Sequence, residues 1–307
     1  MPPQGIVPSD TATAVSAGAT PLTPLRMGKF KASIAITRES WALLKQDKEI
    51  MWFPVLSAIA SLVALIVLAG VFYFAVLGSD VQKFKQLESE VDGFSYVILF
   101  VYYLVMFFIL NFFQAGIYII VHGRFSGQDL GFSDGMKGAT ENIGKIFVWS
   151  VISATVGVVL RAIADRSKLI GKIVAFFLGA AWGILTYFSL PSLIIGKTSV
   201  MNSFKESASV IRKTWGETII INVGTNLFFT MLTFVGLALA IGVAVLVPTF
   251  VVIMGLIVLF IIYAIALSVI SSALGSIFKL AIYEYATTGK IPSGFSPELV
   301  QHAISGK

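Results

Sequence analysis

The chain has no cysteine and only two histidines in 307 residues. The first absence excludes disulfides and thiol chemistry, and with them the usual indicator of redox compartment. The second leaves His122 and His302, too few imidazoles for a convincing metal site. Charge is scarce as well, at 12% of residues, against roughly 25% in a soluble domain. The chain contains no G-x-S-x-G, H-E-x-x-H or P-loop pattern. No ionisable residue stands deep inside a strong apolar run, which argues against a proton- or ion-coupled carrier built on a buried relay. The nearest candidates, His122, Glu141, Glu217 and Glu284, fall near run ends. Without a convergent titratable cluster the chain reads as a non-enzyme, and no cofactor is expected. Residues 1–25 lack Lys and Arg and hold five of the ten prolines. They have neither the charged start nor the apolar centre of a signal peptide, so 1–26 is expected to be a disordered Pro/Ala/Thr-rich tail.

What the chain has is hydrocarbon. It is 57% hydrophobic with a mean hydropathy of +0.89. From Thr218 to Phe278, 61 residues pass without one Asp, Glu, Lys, Arg or His. A bilayer core about 30 Å thick takes roughly 20 helical residues, so this tract must cross twice, folding back around Val247–Pro248–Thr249. Further apolar runs give six spans at about 53–77, 95–121, 146–164, 170–195, 219–246 and 250–282. The fold class is an all-α membrane protein, with a membrane domain over 27–290 and a cytoplasmic C-terminal tail over 291–307.

Basic residues set the orientation. With both termini inside, the inner segments hold sixteen Lys and Arg and the outer ones six. The positive-inside rule therefore places both termini in the cytoplasm and the chain in the cell membrane. The loop at 161–172, with Arg161, Arg166, Lys168 and Lys172, dissents.

One segment recurs before the first, third and fifth spans. Phe30-Lys31 … Ser33 … Arg38-Glu39-Ser40-Trp41 aligns without a gap on Phe204-Lys205 … Ser207 … Arg212-Lys213-Thr214-Trp215. A looser copy has Phe132, Met136, Ala139 and Ile143 at the same apolar positions, with Lys137 on the other face. Spacings of 0, 4, 7 and 11 place these positions on one helical face. Each segment is expected to be an amphipathic helix in the interface, its aromatic face in the acyl boundary and its basic groups on lipid phosphates. The alternative is that each merely begins a straight span. Gly216 and the Asp47–Pro54 region offer break points. The expected architecture is three parallel repeats of interfacial helix plus transmembrane hairpin.

Two polar patterns lie within the spans. Ala175, Gly179 and Gly183 on the fourth span, and Ala264, Ser268, Ser272 and Ser276 on the sixth, recur every four residues. The expectation is close helix packing, with a polar pore lining as the minority alternative. Asn111 and Gln114 on the second span, and Asn222, Thr225 and Asn226 on the fifth, form a possible intramembrane polar cluster. These amides either bond between helices or line a small polar cavity.

Gly179-Ala-Ala-Trp182 … Thr186-Tyr-Phe-Ser-Leu-Pro191, then Ser203-Phe-Lys-Glu-Ser207 … Lys213-Thr-Trp-Gly-Glu217, resembles an uncharacterised family of prokaryotic multi-span membrane proteins. Tyr283-Glu-Tyr-Ala-Thr-Thr-Gly289 … Gly294-Phe295 resembles the same family's closing motif. The likeness covers about 28–300 and carries no assigned activity. More distantly, the plan is similar to the membrane domain attached to some glycerophosphodiester phosphodiesterases, but this chain has no room for their catalytic domain. The expected function is membrane-organising, lipid-interacting or partner-scaffolding. In that reading Phe30, Trp41, Phe204 and Trp215 are interfacial anchors, and Arg38, Arg212 and Lys213 touch phosphates. The alternative is a small-molecule transporter, or a subunit of one. Expected partners are the bilayer and its anionic lipids, with other membrane proteins or a second copy possible in a scaffold. Nucleic acid is excluded because the basic residues flank spans instead of forming one groove.

Overall fold

The structure is a computed structural model that describes residues 29–74, 93–167 and 169–296, with the side chains of 29–36 and 215–226 outside the description. The tail at 1–26, Phe30, Trp215, Asn222, Thr225 and Asn226 therefore lie outside what can be described of side chains. Among the described residues all regular structure is helical. The elements are α1 (Lys29–Gln46), a 3-10 turn (Lys48–Met51), α2 (Trp52–Phe72), α3 (Gly93–Phe125), α4 (Phe132–Glu141), α5 (Ile143–Asp165), α6 (Ile170–Leu185), α7 (Ser189–Ile194), α8 (Val200–Leu246) and α9 (Phe250–Thr288). Six helical segments are long and apolar enough to cross a membrane. The protein is a multi-pass membrane protein.

The helix boundaries follow from local chemistry. Pro248 has no N–H and restricts its predecessor, so α8 ends at Leu246 and α9 starts at Phe250. Gly289, at φ +71°, closes α9 by donating its N–H to the Tyr285 carbonyl at 2.8 Å, a left-handed cap that suits glycine. Ser199 caps α8, its Oγ accepting from the Asn202 amide at 3.3 Å. The expected fourth span at 170–195 is two helices instead. Pro191 in an unbroken helix would collide with the carbonyl four residues back. The chain turns at Thr186–Phe188, and Pro191 sits in the first turn of α7, where its missing N–H costs nothing.

The interfacial helices differ from expectation. α1 does break from its span, at Asp47, and α4 breaks from α5 at Asn142. The third copy does not break: α8 runs 47 residues through Gly216. A glycine costs about 1 kcal/mol in a helix interior, too little to outweigh an unbroken hydrogen-bond ladder. At 1.5 Å per residue α8 is roughly 70 Å long, more than twice a hydrocarbon core. Its first turns therefore project past the membrane into a cap shared with α1, α4 and α7.

That cap holds the core. α1 packs on α8 and α9, α4 on α3, and α7 on α8. Ser40, Leu43 and Leu44 of α1 are buried, as are Ser203, Ser207, Val210, Ile211 and Thr214 of α8. The small hydroxyl residues that make the two copies alike in sequence thus mark helix-to-helix seams. α3 is the central rod, touching α2, α4, α5, α7 and α9. Its buried side chains lie between Ala115 and Phe125, and those of α9 between Ala273 and Tyr283. Toward the other end large apolar groups such as Ile66, Phe176, Phe234 and Leu259 are exposed, the surface that lipid solvates. The C-terminal segment begins docked: Phe295 is buried against Phe125, and Ser293 donates to the Phe125 carbonyl at 3.1 Å.

Candidate functional site

A set of described polar groups in the membrane region gathers on one face of α9. Ala264, Ser268, Ser271, Ser272, Gly275, Ser276 and Lys279 line a cavity of about 490 Å³ with Gln114 of α3, Thr230 and Thr233 of α8, and Tyr187. Steps of three and four residues keep the α9 groups on one stripe. From Ala264 to Lys279 the stripe climbs roughly 22 Å at 1.5 Å per residue. A second cavity of about 400 Å³ lies between α2, α3 and α9, and shares Gln114, Ser268 and Ser272 with the first. Ser57, 6% exposed, is one of its lining residues, and its hydroxyl has no hydrogen-bond partner.

Ser268 and Ser272 of the sixth-span stripe, expected to pack helices, line the two cavities instead. Four-residue spacing makes a narrow face whether or not a helix occupies it, so the spacing alone does not separate the two roles. The fourth-span stripe is corrected too. Gly183 is exposed with nothing within 4 Å of an added Cβ, and Gly179 meets only Leu160, at 3.5 Å. The close approaches occur at glycines outside both stripes. Gly116 seats the ring of Phe53, Gly135 faces the Gly116 carbonyl, and Gly236 seats Tyr263, whose hydroxyl donates to the Leu232 carbonyl at 2.8 Å.

The two described amides point different ways. Asn111 Nδ2 donates to Ser150 Oγ at 3.2 Å, joining α3 to α5. Gln114 Nε2 reaches Ser276 Oγ at 3.5 Å, the long limit of a hydrogen bond. Gln114 belongs to the cavity, whereas Asn111 is an inter-helix tie. Ser276 also donates to the Ser272 carbonyl at 2.9 Å, and Thr233 to the Phe229 carbonyl at 2.9 Å. Among the described residues, the hydroxyls of Ser268, Ser271, Ser272 and Thr230 have no partner.

Lys279 lines the same cavity. In the sequence it is one basic residue at the end of an apolar run, yet it continues the Ser272–Ser276 stripe by one further step of three. Its Nζ stands 4.3 Å from the centre of the Tyr187 ring, a cation–π contact. Among the described residues no carboxylate pairs with it. Several other titratable groups of this end have partners, whereas the buried Tyr118 hydroxyl has none. His122 Nδ1 and Glu284 Oε1 are 2.6 Å apart. Arg124 grips Asp47 through two nitrogens and Asp129 at 2.8 Å. Glu206 accepts from Ser192 at 2.6 Å and Tyr283 at 2.9 Å, tying α7, α8 and α9 together. Glu49 accepts from the Phe132 amide at the start of α4.

The aromatic anchors are also relocated. Phe204 packs between Trp149 and Trp182, at 5.0 and 5.6 Å between ring centres. Trp41 packs partly buried on the core, with Lys45 above its ring. Both serve the protein interior, because the cap offers a larger apolar partner than the headgroup layer. The basic groups Arg38, Lys137, Lys205, Arg212 and Lys213 remain on the exposed side of their helices, and Lys213 also donates to the Ala286 carbonyl at 3.3 Å.

Residues 93–295, from the first turn of α3 through the docked Phe295, match the family of unknown function DUF6159. The chain belongs to that family. The match takes in the α9 stripe, Gln114, Lys279 and most of the cap, and leaves α1 and α2 outside it. Comparison with curated proteins finds no match.

Proposed function

We propose that this is a lipid-interacting protein of the cytoplasmic membrane, which admits the polar part of a bilayer amphiphile between its helices. The observation that carries the reading is the α9 cavity: hydroxyls without partners, an amide and an ammonium collected among helices whose other faces are apolar. Polar groups in hydrocarbon need partners, and a headgroup supplies them. The sixteen-to-six bias of basic residues supports an orientation with the capped end, and Lys279, on the cytoplasmic side. In this orientation the three interfacial segments and their spans form three parallel units, and the exposed basic groups of the cap meet anionic lipid or a partner protein. The chemistry is binding and membrane organisation, not catalysis.

Gly275 gives the test. It lines the cavity, and an added Cβ there meets nothing within 4 Å. Gly275→Leu should fill the space while removing a helix-interior glycine, which costs about 1 kcal/mol relative to alanine. The expected result is an unchanged or slightly raised melting temperature, with retained lipid reduced when purified protein is measured by native mass spectrometry. Equal lipid retention by both proteins would contradict the reading.

A transporter is the second reading, favoured by one observation. The two cavities share Gln114, Ser268 and Ser272, so polar groups continue along much of the membrane's depth. A carrier would show cavity-dependent uptake of a solute that Gly275→Leu abolishes.

A further inference from the structure

We infer that the α9 cavity is selective for a group of net negative charge, a phosphate or a phosphodiester headgroup that carries no cation of its own, with Lys279 as its counter-charge. The inference rests on the cavity reading above and adds the class of ligand. Three observations carry it. Lys279 is the one cavity-lining residue with a formal charge. Its contact in the structure is the face of Tyr187, which stabilises an ammonium but does not neutralise it. The nearby carboxylates are engaged elsewhere, Glu284 with His122 and Glu206 with Ser192 and Tyr283, and, as for most described lysines, no described carboxylate stands against Lys279.

The neighbours suit an anion. An ammonium taken from water into an apolar surround is costly unless it gains an opposite charge. Ser271, Ser272 and Thr230 carry hydroxyls free to donate, and all three line the same space as Lys279. One charge with several hydroxyl donors matches a tetrahedral oxyanion, whose oxygens accept in several directions. The stripe also explains how such a group would arrive. Ser268 and Ser272 carry the polar face toward the membrane midplane, so a headgroup can occupy the stripe while its chains remain in hydrocarbon. A competing account makes Lys279 an ordinary snorkelling lysine whose charge reaches interfacial water; it predicts no selectivity.

The experiment uses the full chain, stripped of lipid in neutral detergent and offered equal amounts of phosphatidylglycerol and phosphatidylcholine. Retained lipid is counted by native mass spectrometry. The wild type should favour the anionic lipid by about tenfold, the worth of one charge-assisted hydrogen bond. Lys279→Met should bring the ratio near one while still retaining phosphatidylcholine, and Lys279→Arg should keep the preference. A parallel arm titrates inorganic phosphate against the melting temperature. A rise in the wild type that is absent in Lys279→Met, with no preference between the lipids, assigns the site to a soluble anion. Equal retention of the two lipids by the wild type, with no phosphate effect, overturns the inference even if Lys279→Met fails to fold. Lipid retention that Gly275→Leu leaves unchanged is a different failure, that of the cavity reading itself.

Discussion

Gly116→Val is expected to lower stability strongly. A Cβ at Gly116 would collide with the Cε1 and Cδ1 edge of the Phe53 ring, which is fully buried. That ring cannot swing clear. Phe132 lies 4.9 Å away, and the site of a Cβ on Gly135 is only 2.7 Å from its tip. Overpacking of this kind costs about 1–3 kcal/mol and sometimes more, and a β-branched side chain against a caged aromatic belongs at the top of that range. Purified protein should show a strongly lowered melting temperature or fail to fold. Gly183→Ala, which meets nothing, is the control and should leave the melting temperature unchanged or slightly higher. The sequence points to the opposite pair of outcomes, because Gly183 sits in a four-residue stripe and Gly116 does not.

Arg124→Met is expected to be clearly destabilising as well. Arg124 closes the end of α3 onto Asp47, the residue where α1 breaks, and Asp129 in the turn before α4. The Asp47 side chain is 11% exposed. Removing the guanidinium leaves that carboxylate desolvated and unpaired. Breaking a buried pair costs about 3–5 kcal/mol; Arg124 is 28% exposed, so solvent screening brings the expectation to about 2 kcal/mol. Adding Asp47→Asn should recover part of the loss, and the double-mutant cycle measures the coupling. Additive losses would mean that the two side chains act separately.

These two sites show where the sequence is legible and where it is not. The spans are readable because bilayer thickness fixes their length and charge avoids their centres. The turn at Val247–Thr249 is readable because proline forbids a continuous helix. The repeated Phe–Lys–Ser–Arg–Trp segment is readable as a pattern, but its meaning is not. The same stripe can face lipid or another helix, and only the partner decides. Here α8 also packs on α5 and α6, so Phe204 lies between Trp149 of α5 and Trp182 of α6. The α9 serines pose the same problem, since small residues admit either a close neighbour or a space. Lys279 was hidden by position: at the end of a long apolar run, a lysine counts first as a topology signal. What revealed it was the chain bringing Tyr187, Thr230 and Gln114 to the same place from three other elements.

The central claim is that a wet polar cavity runs along one face of α9 while the opposite side is immersed in hydrocarbon. Because the chain has no cysteine, single thiols can test this cleanly. Ser272→Cys places a thiol in the cavity, and Ile262→Cys places one on an exposed apolar face of the same helix. Maleimide coupling requires a thiolate in contact with water. In native membranes, a small water-soluble maleimide should label Ser272→Cys and leave Ile262→Cys unmodified. Equal labelling of both, or of neither, would contradict the account.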